Sequence, residues 1–148
     1  MNCRSLALVA MGVACLLGSS AAAIGQQKQP SVVPAAGPPK VYKEPMKGTA
    51  VLQVLKPVIK IAGKEVVTTL TIKNVSYGPI AGLRVDEYWY DKKGEVIGGD
   101  TQRVRQLVPP DATVIFELRT PRDPRMDRNS YQFSHVNGKV RADSVKKF

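Results

Sequence analysis

The chain has 148 residues, a formal net charge of +10 and a hydrophobic fraction of 43%, which suits one domain with a modest core. Its single histidine, His135, excludes a multi-histidine metal site, and its two cysteines, Cys3 and Cys15, both lie near the N-terminus.

The first stretch reads as a leader. Arg4 gives a short positive region, LALVAMGVACLL (Leu6–Leu17) an apolar centre, and GSSAAA a run of small residues ending in Ala21-Ala22-Ala23. This is the plan of a secretory signal peptide over residues 1–23 with an A-x-A cleavage site. An uncleaved anchor is the alternative, since no charge occurs from Ser5 to Gln27. The strongly apolar part stops near Leu17, short of the roughly 20 residues a spanning helix needs. Acylation at Cys15 fits less well, because Gly12 stands where such sites carry a large aliphatic residue. Cleavage would remove both cysteines, and with them thiol catalysis and cysteine-based metal binding. It would leave 21 basic and 12 acidic residues, a net charge of +9. A basic exported chain suits acidic polymers or an anionic membrane face, but a solvated surface that keeps the chain soluble is the simpler account of the charge. Export argues against nucleic acid as a partner.

Residues 24–47 hold Pro30, Pro34, Pro38, Pro39 and Pro45 among glutamines and small residues, without hydrophobic periodicity. Such a segment cannot bury enough surface to offset its ordering entropy, so a disordered linker is predicted. The folded domain is predicted over 48–148. Thr49–Leu55 reads as a strand ending before Pro57, a position that suits a sheet edge. Val58-Ile59-Lys60-Ile61 extends it after a bend, and Ala62-Gly63-Lys64 turns the chain. Glu65–Val75 alternates cleanly, with Val66, Thr68, Leu70 and Ile72 in one phase, as a half-buried strand does. Asn74–Gly82 connects.

Leu83–Gly94, LRVDEYWYDKKG, is the organising stretch. Its rings suit the middle of a sheet. Leu83, Val85, Glu87 and Trp89 share one phase, and Arg84, Asp86, Tyr88 and Tyr90 the other. Glu87 interrupts the inward row. It is expected at a rim, in water; burial against Arg103 or Arg105 is the alternative, because an unpaired buried carboxylate is costly. Asp91–Gly94 is a hairpin turn, with Gly94 free to take a positive φ. Glu95–Ile97 returns, Gly98-Gly99 marks a bulge or strand switch, and Thr101–Leu107 continues. LVPPDA is a loop and Thr113–Arg119 the next alternating strand. After a proline-containing loop, Tyr131 and Phe133 share a face of another strand. Asn137-Gly138 predicts a tight hairpin to a last strand over Lys139–Val145.

About seven short strands without a helix predict an all-β fold, an immunoglobulin-like β-sandwich. The segment Glu65–Leu118 also resembles the FxLYD-type domains of bacterial envelope proteins. The likeness lies in TLTIKNVS, LRVDEYWYDKKGEVIG, LVPPDA and TVIFEL, with Tyr90-Asp91 followed by Gly94 matching a Y-D-x-x-G turn. Glu87 and Trp89 depart from the Phe and Leu of the family's name. The resemblance implies a sandwich module of an exported or anchored protein, with no activity and no shared ligand.

No nucleophile elbow, phosphate loop, H-E-x-x-H or EF-hand pattern occurs, and no cofactor is expected. Asp86 and Glu87 are adjacent on a strand and point to opposite faces, so they cannot form one acid–base pair. His135 reads as a packed or surface residue. One constellation is basic: Arg119, Arg122, Arg125 and Arg128 recur every third residue among Pro121 and Pro124. In a polyproline II helix their guanidinium groups would line one edge about 9 Å apart, suited to phosphate or carboxylate. Local neutralisation by Asp123 and Asp127 in a plain connecting loop is the simpler expectation. The predicted function is an exported, non-enzymatic interaction module of the bacterial envelope, in the periplasm or secreted. Its partner would be an envelope protein or anionic envelope polymer, and membrane contact would come only through the leader or an uncleaved anchor. The alternative is a carbohydrate- or anionic-polymer-binding module that uses exposed Tyr88 or Tyr90 as a stacking platform together with the Arg119–Arg128 loop. Solvent exposure of those rings separates the two readings.

Overall fold

A computed structural model of the chain describes residues 30–33 and 44–148. Among these residues there are nine strands and no helix: β1 (Ser31–Val33), β2 (Ala50–Leu55), β3 (Val58–Ala62), β4 (Glu65–Asn74), β5 (Arg84–Tyr90), β6 (Val96–Arg103), β7 (Thr113–Pro121), β8 (Arg128–Ser134) and β9 (Val140–Val145). The larger sheet runs β1-β7-β4-β2-β9, with β3 also on β4, and the smaller runs β6-β5-β8. Leu52, Leu70, Ile72, Phe116 and Leu118 of the larger sheet meet Leu83, Val85 and Val104 from the smaller sheet and its flanks in one buried cluster. The molecule is the all-β, two-layer sandwich that the strand pattern predicts.

Period-two alternation explains which residues face inward. Along β4 every second residue is buried, from Val66 through Thr68, Leu70 and Ile72 to Asn74. β5 is central in its sheet, paired on one side with β6 and on the other with β8. Its turn forms as its chemistry dictates. The Asp91 carboxylate accepts from the amides of Lys93 and Glu95, the Gly94 amide donates to the Asp91 carbonyl at 3.0 Å, and Gly94 has φ +86°. The ladder register between β5 and β6 shifts next to Gly98, where Trp89 faces Gly98 but Tyr90 faces Val96. That is the bulge predicted at the paired glycines.

Four expectations change. First, β2 is not an edge strand: it pairs antiparallel with β4 and parallel with β9. Proline at position 57 does not end the pairing. β2 and β3 follow the same side of β4, and the register moves by one residue between Val54↔Ile72 and Val58↔Thr69, which absorbs the missing N–H. Second, part of the predicted disordered linker is ordered. Ser31–Val33 pairs with β7, and Met46, 4% exposed, joins the core and donates its amide to the Pro79 carbonyl. The folded unit therefore starts before Gly48. Third, Asn137-Gly138 does not join neighbouring strands. The chain leaves β8 in the small sheet and enters β9 in the large one. Gly48 ties this crossing down: its amide donates to the Asn137 carbonyl, its carbonyl accepts from the Lys139 amide, and His135 Nε2 lies 2.9 Å from the same oxygen. His135 is thus a packed residue that pins a corner. Fourth, strands β1 and β3 raise the number among the described residues above the predicted seven. The leader, with both cysteines, lies outside the described residues.

Candidate functional site

The outer face of the small sheet carries the second phase of β5. Arg84, Asp86, Tyr88 and Tyr90 stand there beside Arg103, Thr101 and Gly99 of β6 and Ser134, Gln132, Ser130 and Arg128 of β8. Asp86 is covered by its neighbours. Arg84 Nε and Nη2 donate to its Oδ1 at 2.9 and 2.6 Å, and Thr101 Oγ1 donates at 2.6 Å. Tyr88 lies between Gly99 and Ser130, so no bulky side chain crowds it along either ladder, and its ring is half-buried. Tyr90 is half-buried too, but the Arg128 guanidinium sits 5.5 Å from its ring centroid. A stacking ligand would have to displace that cation from Tyr90; Tyr88 faces no such competitor.

The four arginines do not form a line. A turn at Pro124-Arg125, closed by the Met126 amide on the Asp123 carbonyl, replaces the polyproline spacing. Arg119 belongs to β7 and lies on the outer face of the opposite sheet, paired with Glu65 at 3.2 Å and Glu117 at 2.5 Å. Those two carboxylates raise its pKa, Glu117 the more. Arg125 folds back on Asp123, Nη2 to Oδ2 2.7 Å, and holds that carboxyl down at about 2. Arg122 is exposed, with its amide bonded to the Lys64 carbonyl. Only Arg128 meets the predicted tyrosines. The plain-loop expectation holds for Asp123; the four-arginine edge does not exist.

Glu87 corrects a further expectation. It is 2% exposed, and no arginine compensates it. Thr68 Oγ1 donates to its Oε1 at 2.7 Å, Thr120 Oγ1 to its Oε2 at 3.2 Å, and Asn129 Nδ2 to Oε1 at 3.1 Å. Asn129 Nδ2 also donates to the Tyr131 hydroxyl oxygen at 2.6 Å. Burial, reinforced by the charge of Glu87, pushes the Tyr131 phenol up to about 12. Neutral donors from both sheets thus replace the water this carboxylate would otherwise need. The arrangement ties the two layers together around a carboxylate that solvent scarcely touches.

Sequence reasoning overlooked the uncovered flank of the large sheet. The three-stranded layer is narrower than the layer it packs on. Between the free side of β8 and β9 lies an open groove of about 580 Å³, with Val54, Pro57, Val140 and Ala142 along it and Tyr131 and Phe133 as its wall. Exposed apolar side chains also occur on β3, beyond Pro57. Ile59 and Ile61 pair with Thr68 and Val66, both inward-facing residues, yet they are 45% and 62% exposed because the small sheet does not extend over them. The signal was present in KPVIKIAGK, where Ile59 and Ile61 share one phase and Lys60 stands in the other.

Among the described residues no group of three His, Cys, Asp or Glu side chains is placed to hold a metal ion, and no helix is long and apolar enough to cross a membrane. No family model matches the chain, and no curated protein matches it. A solved structure of IrmA from Escherichia coli is similar at a TM-score of 0.42 and 9% identity, over 67% of this chain and 94% of that one. That likeness is too loose to carry an argument.

Proposed function

We propose that the protein is an exported, non-enzymatic β-sandwich that serves as an interaction or accessory module of the bacterial cell envelope. The observation that carries this reading is the flank of the large sheet, where exposed isoleucines and an open groove of mixed polar and apolar lining lie beside strand edges that pair with nothing among the described residues. Exposed apolar surface next to an open edge is what strand-addition binding uses. The leader over residues 1–23 and the likeness to FxLYD-type envelope modules support export. The deeply buried carboxylates Asp86 and Glu87 are engaged by donors of the chain itself, which suits a structural role for them better than a catalytic one.

A second reading has its own support. Tyr88, flanked by Gly99 and Ser130 on a face that also carries Arg84, Arg103 and Arg128, suits stacking of a sugar ring or capture of an anionic polymer. One experiment separates the two. A photo-crosslinking residue is introduced at position 61 or at position 88 of the full chain, expressed with its own leader, and the envelope fraction is irradiated. Protein adducts from position 61 are expected. Polysaccharide adducts from position 88 alone would favour the second reading, and silence at both would defeat binding by either face. The intact mass of the exported chain should show loss of residues 1–23.

A further inference from the structure

The β3 hairpin combines three properties. Its sequence from Lys56 to Lys64 contains three lysines and no acidic residue. Val58, Ile59 and Ile61 are 51%, 45% and 62% exposed. One of its two edges pairs with β4, and the other pairs with no strand among the described residues. β9 does not reach it: the parallel ladder ends where Val145 meets Leu55, so exposed Lys146 and Lys147 follow close to where the chain bends into β3. The nearest acid in sequence, Glu65, is already held by Arg119 at 3.2 Å. An open, apolar edge strand is a pairing template that folded proteins ordinarily guard. Here one lysine interrupts it.

Physical requirements narrow what can cover this edge. A bilayer would accept the isoleucines, but hydrocarbon offers nothing to the free N–H and C=O groups of β3. A second copy paired through β3 would bring one basic hairpin against another on chains of net charge +10. An extended segment of an acidic partner meets every need at once. Its backbone completes the ladder, and opposed residues in a ladder share a face. Residues opposite Ile59 and Ile61 would therefore be apolar, and the residue between them, opposite Lys60, acidic.

Resting on the binding-module reading above, we propose that β3 is a receptor edge for a partner strand of pattern apolar–acidic–apolar, set against Ile59, Lys60 and Ile61. The test uses isotope-labelled protein purified after expression with its own leader, and a blocked peptide, Thr-Val-Thr-Val-Glu-Val-Thr-Val-Thr, with a control carrying lysine in place of the glutamate. Amide shifts should concentrate at Val58–Ala62. The glutamate peptide should bind about fivefold more tightly than the control, the scale of one favourable cross-strand pair. Lys60→Glu should reverse that preference without altering the fold. Ile61→Thr should weaken both peptides, and Tyr88→Ala should change neither. Shifts centred on β8, β9 or β6, a preference indifferent to the charge at position 60, or a concentration-dependent dimer that protects β3 would each overturn the proposal. Crosslinking from position 61 with no such charge preference would leave the binding module standing and remove only this occupant.

Discussion

At Glu87 a carboxylate lies between two sheets, and its three donors, Thr68, Thr120 and Asn129, are all neutral. Removing the carboxyl group strands those donors, and each unsatisfied buried group costs about 1–3 kcal/mol. Glu87→Ala should therefore lower unfolding stability by about 3–4 kcal/mol, since a cavity adds to the lost bonds. Glu87→Gln keeps shape and two polar atoms while relieving a buried charge, and should change stability by less than about 1 kcal/mol. Urea unfolding of both variants checks the order. Tyr131 offers a pH test of the same network. Its pKa is raised by burial and by the Glu87 charge from 10.0 to about 12. The folded state holds the phenol proton where the unfolded state has lost it. Its contribution is thus complete below pH 10 and is lost as pH climbs from 10 towards 12. Tyrosinate absorbance should show a late-titrating ring that Tyr131→Phe abolishes. The interruption of the inward row at Glu87 was legible in the sequence, but its burial was not. Thr68 and Thr120 lie 19 and 33 residues away, and only the packing of β5 on β4 and β7 brings them there.

Elements were legible where the signal is local. β4, β5 and β7 follow their alternation, and the Asp91–Gly94 turn follows its residues. Two glycines around β6 give a ranked prediction. Gly94 needs its positive φ of +86°, so Gly94→Ala should cost about 1–2 kcal/mol. At Gly99 a Cβ would lie 2.1 Å from the Glu87 carbonyl oxygen, which is central-strand backbone and cannot move aside. Gly99→Ala should cost about 2–3 kcal/mol, the upper range of overpacking, and rank above Gly94→Ala in thermal unfolding. β3 is the element whose role escaped the sequence. Its apolar run marks a strand, but whether a second layer covers it depends on the width of a sheet formed elsewhere in the chain.

On the scale of the molecule, closure depends on β2 and β9, which lie near opposite ends of the folded region and pair in parallel over six residues, Ala50↔Val140 to Leu55↔Val145. A chain truncated after Asn137 loses that ladder and the Lys139 contact to Gly48. It should lose cooperative unfolding, as judged by a single sigmoidal melt, whereas removal of Lys146–Phe148 should leave the transition in place. Closure by strands so far apart is slow in loop-entropy terms, and folding on the millisecond-to-second scale is expected for such a topology.

The sequence by itself determined most of the extended segments from β2 onward, the inward phases of β4, β5 and β7, and the turn at Asp91–Gly94. Those features arise from side-chain alternation and backbone preference within a few residues of one another. Only the tertiary structure decided which strands neighbour each other, that Asn137-Gly138 crosses between layers, that Glu87 is enclosed, and that one edge of β3 meets no strand among the described residues. A strand offers the same ladder of N–H and C=O groups to any partner. Its choice among them is made by contacts between residues far apart in the chain, when two sheets of unequal width settle against each other.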